Sequence, residues 1–141
     1  MTNYLVEPEV GGWPVGDDTS DWTTFPPKTT KLYWEMECWL GDVLLCNMGF
    51  WIATVTTMDA IKAAGLTGVT FDDVEVIMVE QFRELQPDLI LPKFVWLKID
   101  GKASEDDFGI ARDFILVVST RALKLLQGLG ISHAKVEPYN G

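Results

Sequence analysis

The residue types best suited to chemistry in this sequence are one histidine, two cysteines and a serine that follows a hydrophobic run. They are His133, Cys38, Cys46 and Ser119. A Ser-His-acid triad would bring Ser119 to His133, but the string VVST around Ser119 lacks the elbow that presents such a nucleophile. One histidine with two distant cysteines also falls short of the ligands that a zinc site needs. We therefore expect no catalytic, cofactor-binding or metal-binding residue, and we expect His133 to be structural or to lie at the surface.

Acidic side chains are the second group that could carry chemistry. The chain has 21 Asp and Glu against 11 Lys and Arg, a net charge of −10, and the acids cluster at 17–21, 72–75 and 105–107. The cluster at 105–107 lacks the alternating ligand spacing of a calcium loop. The tripeptide at 107–109, Asp-Phe-Gly, matches a kinase motif by letters, but no other kinase motif accompanies it. Neighbouring carboxylates are expected by coincidence in so acidic a chain, so glycosidase chemistry is not favoured.

The same acids are better suited to binding a protein. A chain this negative repels phosphate backbones, which argues against a nucleic-acid partner, and it attracts a basic protein. We expect contacts with such a partner at acids in the predicted loops, namely Asp72, Asp73, Glu105, Asp106 and Asp107. The alternative is that the acidity only keeps the protein in solution.

Length and composition predict one domain with a substantial core. The chain has 141 residues, 48% of them hydrophobic, and six are tryptophans. Two cysteines are too few for a disulfide framework, so we expect Cys38 and Cys46 to be reduced, buried thiols. The first residues lack a basic segment followed by an apolar one, and no apolar run approaches the ~20 residues that span a bilayer. These features predict a cytoplasmic protein with no membrane partner.

The order of apolar and turn-forming residues predicts an α+β fold with a mixed or mostly antiparallel sheet and two main helices. Residues 1–30 are rich in proline and glycine, and we expect an irregular arm packed on the body. Alternating or continuous apolar runs predict strands at 31–40, 50–55, 69–79, 93–99, 114–118 and 131–137. Helical spacing predicts helices at about 57–64 and 120–129 and a shorter one at 79–85, with Thr56 or Thr57 capping the first and Ser119 the second.

Two of these segments resemble each other. Each has a hydroxyl residue before a helix, a glycine at the helix end, then an apolar residue, a hydroxyl residue and an alternating apolar pair. The first runs from Val55 to Phe71 and the second from Val118 to Val136. This pattern predicts two related strand–helix–strand units. Chance is the alternative, because a hydroxyl cap and a terminal glycine are common in any such unit.

The last two thirds of the chain resemble a family. The strings that carry the resemblance are GLTGVTFDDVEV at 65–76, VEVIMVEQFRELQPDLILPKFVWLKIDG at 74–101 and ILVVSTRALKLLQGLGISHAKVEP at 115–138. They are similar to a group of bacterial proteins associated with polymorphic toxin systems, over about residues 50–138. The resemblance implies an immunity protein, which binds a cognate toxin domain and blocks it without catalysis. It transfers no functional residue to this chain.

Two other functions remain open from the sequence. A small-ligand or regulatory module would use the tryptophan-rich N-terminal half to line an apolar cavity. An enzyme of unrecognised type would bring His133, Ser119 and an acid within hydrogen-bond reach.

Overall fold

The computed structural model describes residues 2–17, 20–25 and 27–140. Within these ranges the chain forms ten strands and three α-helices, which confirms the α+β class. The strands are β1 (Asn3–Glu7), β2 (Gly12–Val15), β3 (Leu32–Met36), β4 (Leu44–Asn47), β5 (Phe50–Thr54), β6 (Val69–Met78), β7 (Phe94–Ile99), β8 (Phe108–Ile110), β9 (Leu116–Ser119) and β10 (Lys135–Tyr139). The helices are α1 (Val55–Ala64), α2 (Glu80–Leu85) and α3 (Thr120–Leu129), and a 3-10 turn spans Arg112–Phe114.

The strands of the described residues form two sheets. The smaller is antiparallel, with the order β10-β1-β9-β8. The larger is mixed, with the order β2-β3-β6-β7-β5-β4, and its β3–β6 pair is parallel. Strand β6 joins the two halves of the larger sheet, because Val69–Asp73 pair with β7 and Val74–Met78 pair with β3.

Each sheet contains a strand–helix–strand unit of the same design. In the larger sheet, β5 leads into α1 and then β6, and β7 lies between the two strands, antiparallel to both. In the smaller sheet, β9 leads into α3 and then β10, and β1 occupies the matching middle position. Both are therefore split β-α-β arrangements. The structure confirms the two strand–helix–strand units that the sequence predicts.

The two main helices begin with equivalent caps. The Thr54 hydroxyl accepts the backbone N–H of Thr57 at 3.2 Å, and the Ser119 hydroxyl accepts that of Ala122 at 3.2 Å. The prediction for Ser119 is confirmed. The prediction of Thr56 or Thr57 is wrong, because strand β5 passes directly into the helix at Val55 and its last residue provides the cap. Gly65, with φ of 65°, ends α1 in the left-handed conformation that favours glycine.

The N-terminal segment is not irregular throughout, as the sequence suggested, because it contains β1 and β2. Strand β1 lies in the interior of the smaller sheet, between partners more than a hundred residues away. Pro14 lies within β2, which is an edge strand and therefore tolerates a residue without an N–H. Asp18 and Pro26, also part of the predicted arm, lie outside the described residues.

Several smaller expectations also change. Strands β9 and β10 start two and four residues later than predicted, because the 3-10 turn and a turn at 131–134 precede them. Helix α2 buries Phe82 as expected, but Leu85 is 74% exposed because the helix ends there. Strand β3 ends at Met36, so Cys38 is exposed rather than buried.

Two apolar clusters form the core. One joins both sheets to the main helices, with Val6 and Leu116 from the smaller sheet, Leu97 from the larger sheet, and Ile61 and Leu126 from α1 and α3. The other lies on the opposite face of the larger sheet. It contains Trp34, Met36, Ile52, Phe82, Phe94 and Trp96. The two main helices, α1 and α3, thus cover only part of one face of the larger sheet, on the β5 and β7 side, and α2 packs on the other face.

Candidate protein-binding face

The main helices α1 and α3 cover one face of the larger sheet only in part. Beyond them, on β2, β3 and β6, this face carries aromatic, apolar and acidic side chains. Strands β2, β3 and β6 pair so that Trp13 lies opposite Glu35, Glu35 beside Ile77, and Tyr33 beside Glu75. Since side chains alternate along a strand and paired residues share a face, these positions form one surface. We call this surface the acidic–aromatic face. It consists of Trp13, Val15, Tyr33, Glu35, Asp73, Glu75 and Ile77.

Solvent reaches the acidic–aromatic face. Trp13 is 48% exposed and Ile77 is 45% exposed, and Asp73 and Glu75 are also exposed. Tyr33 and Glu35 are half-buried between their neighbours. A sheet face that combines exposed apolar groups with acids differs from the polar face that an antiparallel sheet usually turns to water.

The charge of this face is predominantly negative. Glu35, Asp73 and Glu75 contribute carboxylates, and one exposed base, Lys31, lies beside them with its ammonium 4.9 Å from the centre of the Tyr33 ring. Interaction with Tyr33 raises the pKa of Lys31, and attraction to Glu75 and Asp17 adds to the rise. The face therefore presents negative charges interspersed among aromatic and aliphatic groups.

The five acids predicted as contacts lie in different places. Asp73 is on the acidic–aromatic face, and Asp72 is on the opposite face of β6, where it pairs with Lys98 at 2.9 Å. Both are in β6, inside the strand predicted at 69–79, so the expectation that these two acids lie in a loop is wrong. Glu105 and Asp106 are in the loop before β8, and Asp106 accepts the backbone N–H of Lys102 at 2.8 Å.

Asp107, the fifth predicted contact, is buried at the junction of the two strand–helix–strand units. Its carboxylate accepts the Thr67 N–H at 2.9 Å, the Ser119 hydroxyl at 2.6 Å, and two bonds from Arg121 at 2.9 and 2.7 Å. The Arg121 guanidinium holds the pKa of Asp107 well below its usual range, and the bonds from Ser119 and Thr67 lower it further. This geometry indicates that Asp107 joins the loop after α1 to the start of α3, which leaves it little surface for a partner.

The residues considered for catalysis do not assemble a triad. Ser119 bonds to Asp107, whereas Nδ1 of His133 lies 2.8 Å from Asp42. Hydrogen bonding to Asp42 raises the pKa of His133. The two cysteines are free thiols, and burial raises the pKa of Cys46 to about 12, so this thiol is a poor nucleophile at neutral pH.

A groove of about 270 Å³ lies between the two sheets. Its lining includes Val6 and Leu116 from the smaller sheet and Cys46 and Trp51 from the larger. The indole N–H of Trp51 is buried and finds no hydrogen-bond partner among the described residues. The groove is just smaller than typical small-molecule sites and opens to solvent, so it is not the closed cavity that a ligand-binding module predicts.

The sequence missed the acidic–aromatic face for an identifiable reason. Trp13 and Val15 belong to a segment predicted to be irregular, and the parallel pairing of β3 with β6 joins positions about forty residues apart. One sequence pattern could have indicated part of the face: the alternation within β6, which places Asp73, Glu75 and Ile77 on one face of the strand.

Models of known protein families give no match to this chain, and no curated protein matches it either. Among the described residues, no helix has both the length and the apolar character required to cross a membrane.

Proposed function

We propose that this chain is a non-catalytic immunity protein that binds and neutralises a basic bacterial toxin domain through the acidic–aromatic face. The face itself is the observation that carries the proposal. The nature of the partner rests on the resemblance of residues 50–138 to immunity proteins of polymorphic toxin systems. The reducing cytoplasm of the producing cell is the proposed site of the encounter, and two free thiols suit that compartment.

The composition of the face suits a tightly held protein partner. Tryptophan and tyrosine dominate binding energy at interfaces, and Trp13 and Tyr33 lie on strands that hold them in place. Ile77 adds an exposed aliphatic group on the neighbouring strand. An apolar centre of this kind gains most from a partner surface that excludes water from it.

The carboxylates of this face indicate that the partner is basic. Glu35 lies between Trp13 and Ile77. Glu75 lies beside Tyr33, and Asp73 lies along β6, so carboxylates alternate with the apolar groups of the face. The whole chain carries a net charge of −10. Such a field accelerates the encounter with a basic domain and disfavours acidic competitors. A basic toxin domain, such as a nuclease, meets this requirement.

The first experiment is capture of the partner from a lysate of the source bacterium with the tagged chain, followed by mass spectrometry. Two matched variants define the surface. Glu75→Lys reverses a charge on the acidic–aromatic face, and Glu105→Lys makes the same change at an exposed loop acid. We expect the partner with the wild type and with Glu105→Lys, and a reduced yield with Glu75→Lys.

The second experiment tests neutralisation. The captured partner is expressed in a bacterial host, alone or together with the wild-type chain or Trp13→Ala. The proposal predicts growth arrest by the partner alone, rescue by the wild type and weaker rescue by Trp13→Ala. If the captured partner does not arrest growth, the binding face would still stand but the proposed immunity function would be wrong.

The groove supports a second candidate, a small-ligand module. Trp51 lines the groove, and its buried indole N–H lacks a partner among the described residues, so a ligand that entered beside this ring and accepted a hydrogen bond from it would be favoured. A thermal-shift screen of metabolites against the wild type and Trp51→Phe tests it. A compound that stabilises only the wild type supports this candidate, and a screen without any such compound counts against it.

A further inference from the structure

Three side chains that can act as metal ligands lie close together, outside the acidic–aromatic face. They are Glu9, just after β1, Asp42, just before β4, and His133, in the turn before β10. One donor atom from each lies within 4.8 Å of the donor atoms of the other two. Because 33 positions separate Glu9 from Asp42, and 91 separate Asp42 from His133, no sequence motif could reveal the cluster.

Both carboxylates are buried, whereas the imidazole is exposed. Glu9 is 7% exposed and Asp42 is 1% exposed. Backbone N–H groups fix their orientation: Leu40 donates to Glu9 at 2.8 Å, and His133 donates to Asp42 at 2.9 Å. A carboxylate has about four lone-pair sites, so these bonds leave capacity on both acids.

The cluster has an excess of negative charge. Among the described residues, Glu9 and Asp42 have no lysine or arginine ion-pair partner, and the one cationic candidate beside Asp42 is His133. When both carboxylates are ionised, the cluster carries a net negative charge even if the imidazole is protonated. Burial makes uncompensated charge costly, so the cluster favours a bound cation.

The spacing of the donors suits a transition-metal ion. Zinc holds nitrogen and oxygen donors at about 2.0–2.2 Å in a tetrahedral arrangement, so adjacent donors around it lie about 3.4 Å apart. Nδ1 of His133 and the Asp42 oxygen are 2.8 Å apart, so a small side-chain rotation brings this pair to that spacing. An imidazole with two carboxylates is also a donor set that zinc accepts more readily than calcium or magnesium does.

We propose that Glu9, Asp42 and Nδ1 of His133 bind a Zn²⁺ ion. The exposed side of His133 leaves room for water to complete the coordination. The ion would tie together three segments of the chain, namely the end of β1, the loop before β4 and the turn before β10. This site is independent of the acidic–aromatic face, and the proposal replaces the expectation of no metal site.

Calorimetric titration of the chelator-treated chain with Zn²⁺ tests the site. We expect one equivalent to bind and the melting temperature to rise. His133→Gln removes the imidazole while leaving an amide to bond to Asp42, and since His133 is exposed the variant should fold. We expect at least about a 100-fold loss of affinity, because even the loss of an outer partner costs 10–100-fold.

Two controls identify the atoms that hold the ion. Cys38→Ser removes the exposed thiol and should bind Zn²⁺ as the wild type does. X-ray absorption of the zinc-loaded wild type should show nitrogen and oxygen neighbours at about 2.0–2.2 Å, with imidazole scattering. The proposal fails if the wild type does not bind Zn²⁺, if His133→Gln binds it equally well, or if Cys38→Ser abolishes binding.

Discussion

Acidic residues have different roles in two regions of this chain. At the junction of the two strand–helix–strand units, Asp107 is buried and accepts hydrogen bonds from Thr67, Ser119 and Arg121. On the acidic–aromatic face, Asp73 and Glu75 are exposed beside apolar groups. Identical chemistry therefore serves folding in the first region and, in our proposal, binding in the second. Burial and the number of donors separate the two roles, and acidity by itself does not.

The largest effect is expected on stability at Asp107. Asp107→Ala leaves the buried Ser119 hydroxyl without its acceptor and removes the charge-assisted bonds from Arg121, whose side chain is 59% exposed and returns to water, so it should lower the free energy of unfolding by about 2.5 kcal/mol. Urea denaturation measures this loss. Glu105→Ala, two positions away in the exposed loop, is the matched control and should change stability by less than about 0.5 kcal/mol. If the two variants lowered stability equally, the claim that Asp107 stabilises the fold more than an exposed loop acid would be wrong.

Trp13 should have the next largest effect, on binding rather than folding. Trp13→Ala removes the largest apolar group of the acidic–aromatic face and should weaken partner binding by about 2 kcal/mol, roughly 30-fold. Isothermal titration with the purified partner measures it. The control is Trp22→Ala, since Trp22 is 40% exposed but contacts Phe50 in the cluster on the other side of the sheet. Weaker binding by the control alone would move the interface away from the proposed face.

Acid should weaken the contribution that Asp107 makes to stability at the junction. The pKa of Asp107 is lower in the folded chain than its ordinary value of 3.8, so the folded state binds this proton less readily than the unfolded state. The stability from Asp107 is therefore complete above about pH 4 and is lost as the pH falls through the folded-state pKa. Urea denaturation of wild type and Asp107→Ala at about pH 6 and about pH 3 should show a difference that shrinks at the lower pH. A difference that is the same at both would contradict the assignment.

The smallest effect is expected from single charges on the face. Glu75→Lys should slow association with a basic partner by about tenfold at low salt and by less at high salt, because rim charges act mainly on the encounter rate. Surface plasmon resonance at two salt concentrations measures the rates. Glu105→Lys makes the same change of charge away from the face and should alter the rate less. Indistinguishable rates for the two variants would show that only the net charge matters.

The elements that follow local rules were predictable from the sequence. Ser119 begins α3 and the run at 93–99 forms β7, because a hydroxyl cap and a dense apolar run are visible without any partner. Strand β1 was not predictable, since a proline and two glycines closely follow it and its strand character comes from pairing with β9 and β10. Propensity is weak evidence when the partners are distant in sequence.

The sites depended even more on distant pairing. Asp107 looked like an exposed loop acid because its neighbours at 105 and 106 are acids, yet Thr67 and Arg121 enclose it. The acidic–aromatic face required the register of three strands, and the Glu9–Asp42–His133 cluster required three separate segments. No spacing rule connects such residues, although the alternation in β6 puts three of the seven face residues on one side of that strand.

Hydroxyl-radical footprinting of the chain with its partner is the most direct test of the acidic–aromatic face as the binding surface. Trp13 and Trp22 are exposed to similar extents, 48% and 40%, and they lie on opposite sides of the larger sheet. The proposal predicts that the partner protects Trp13 from oxidation and leaves Trp22 as reactive as in the free chain. Protection of Trp22 with no change at Trp13 would contradict it.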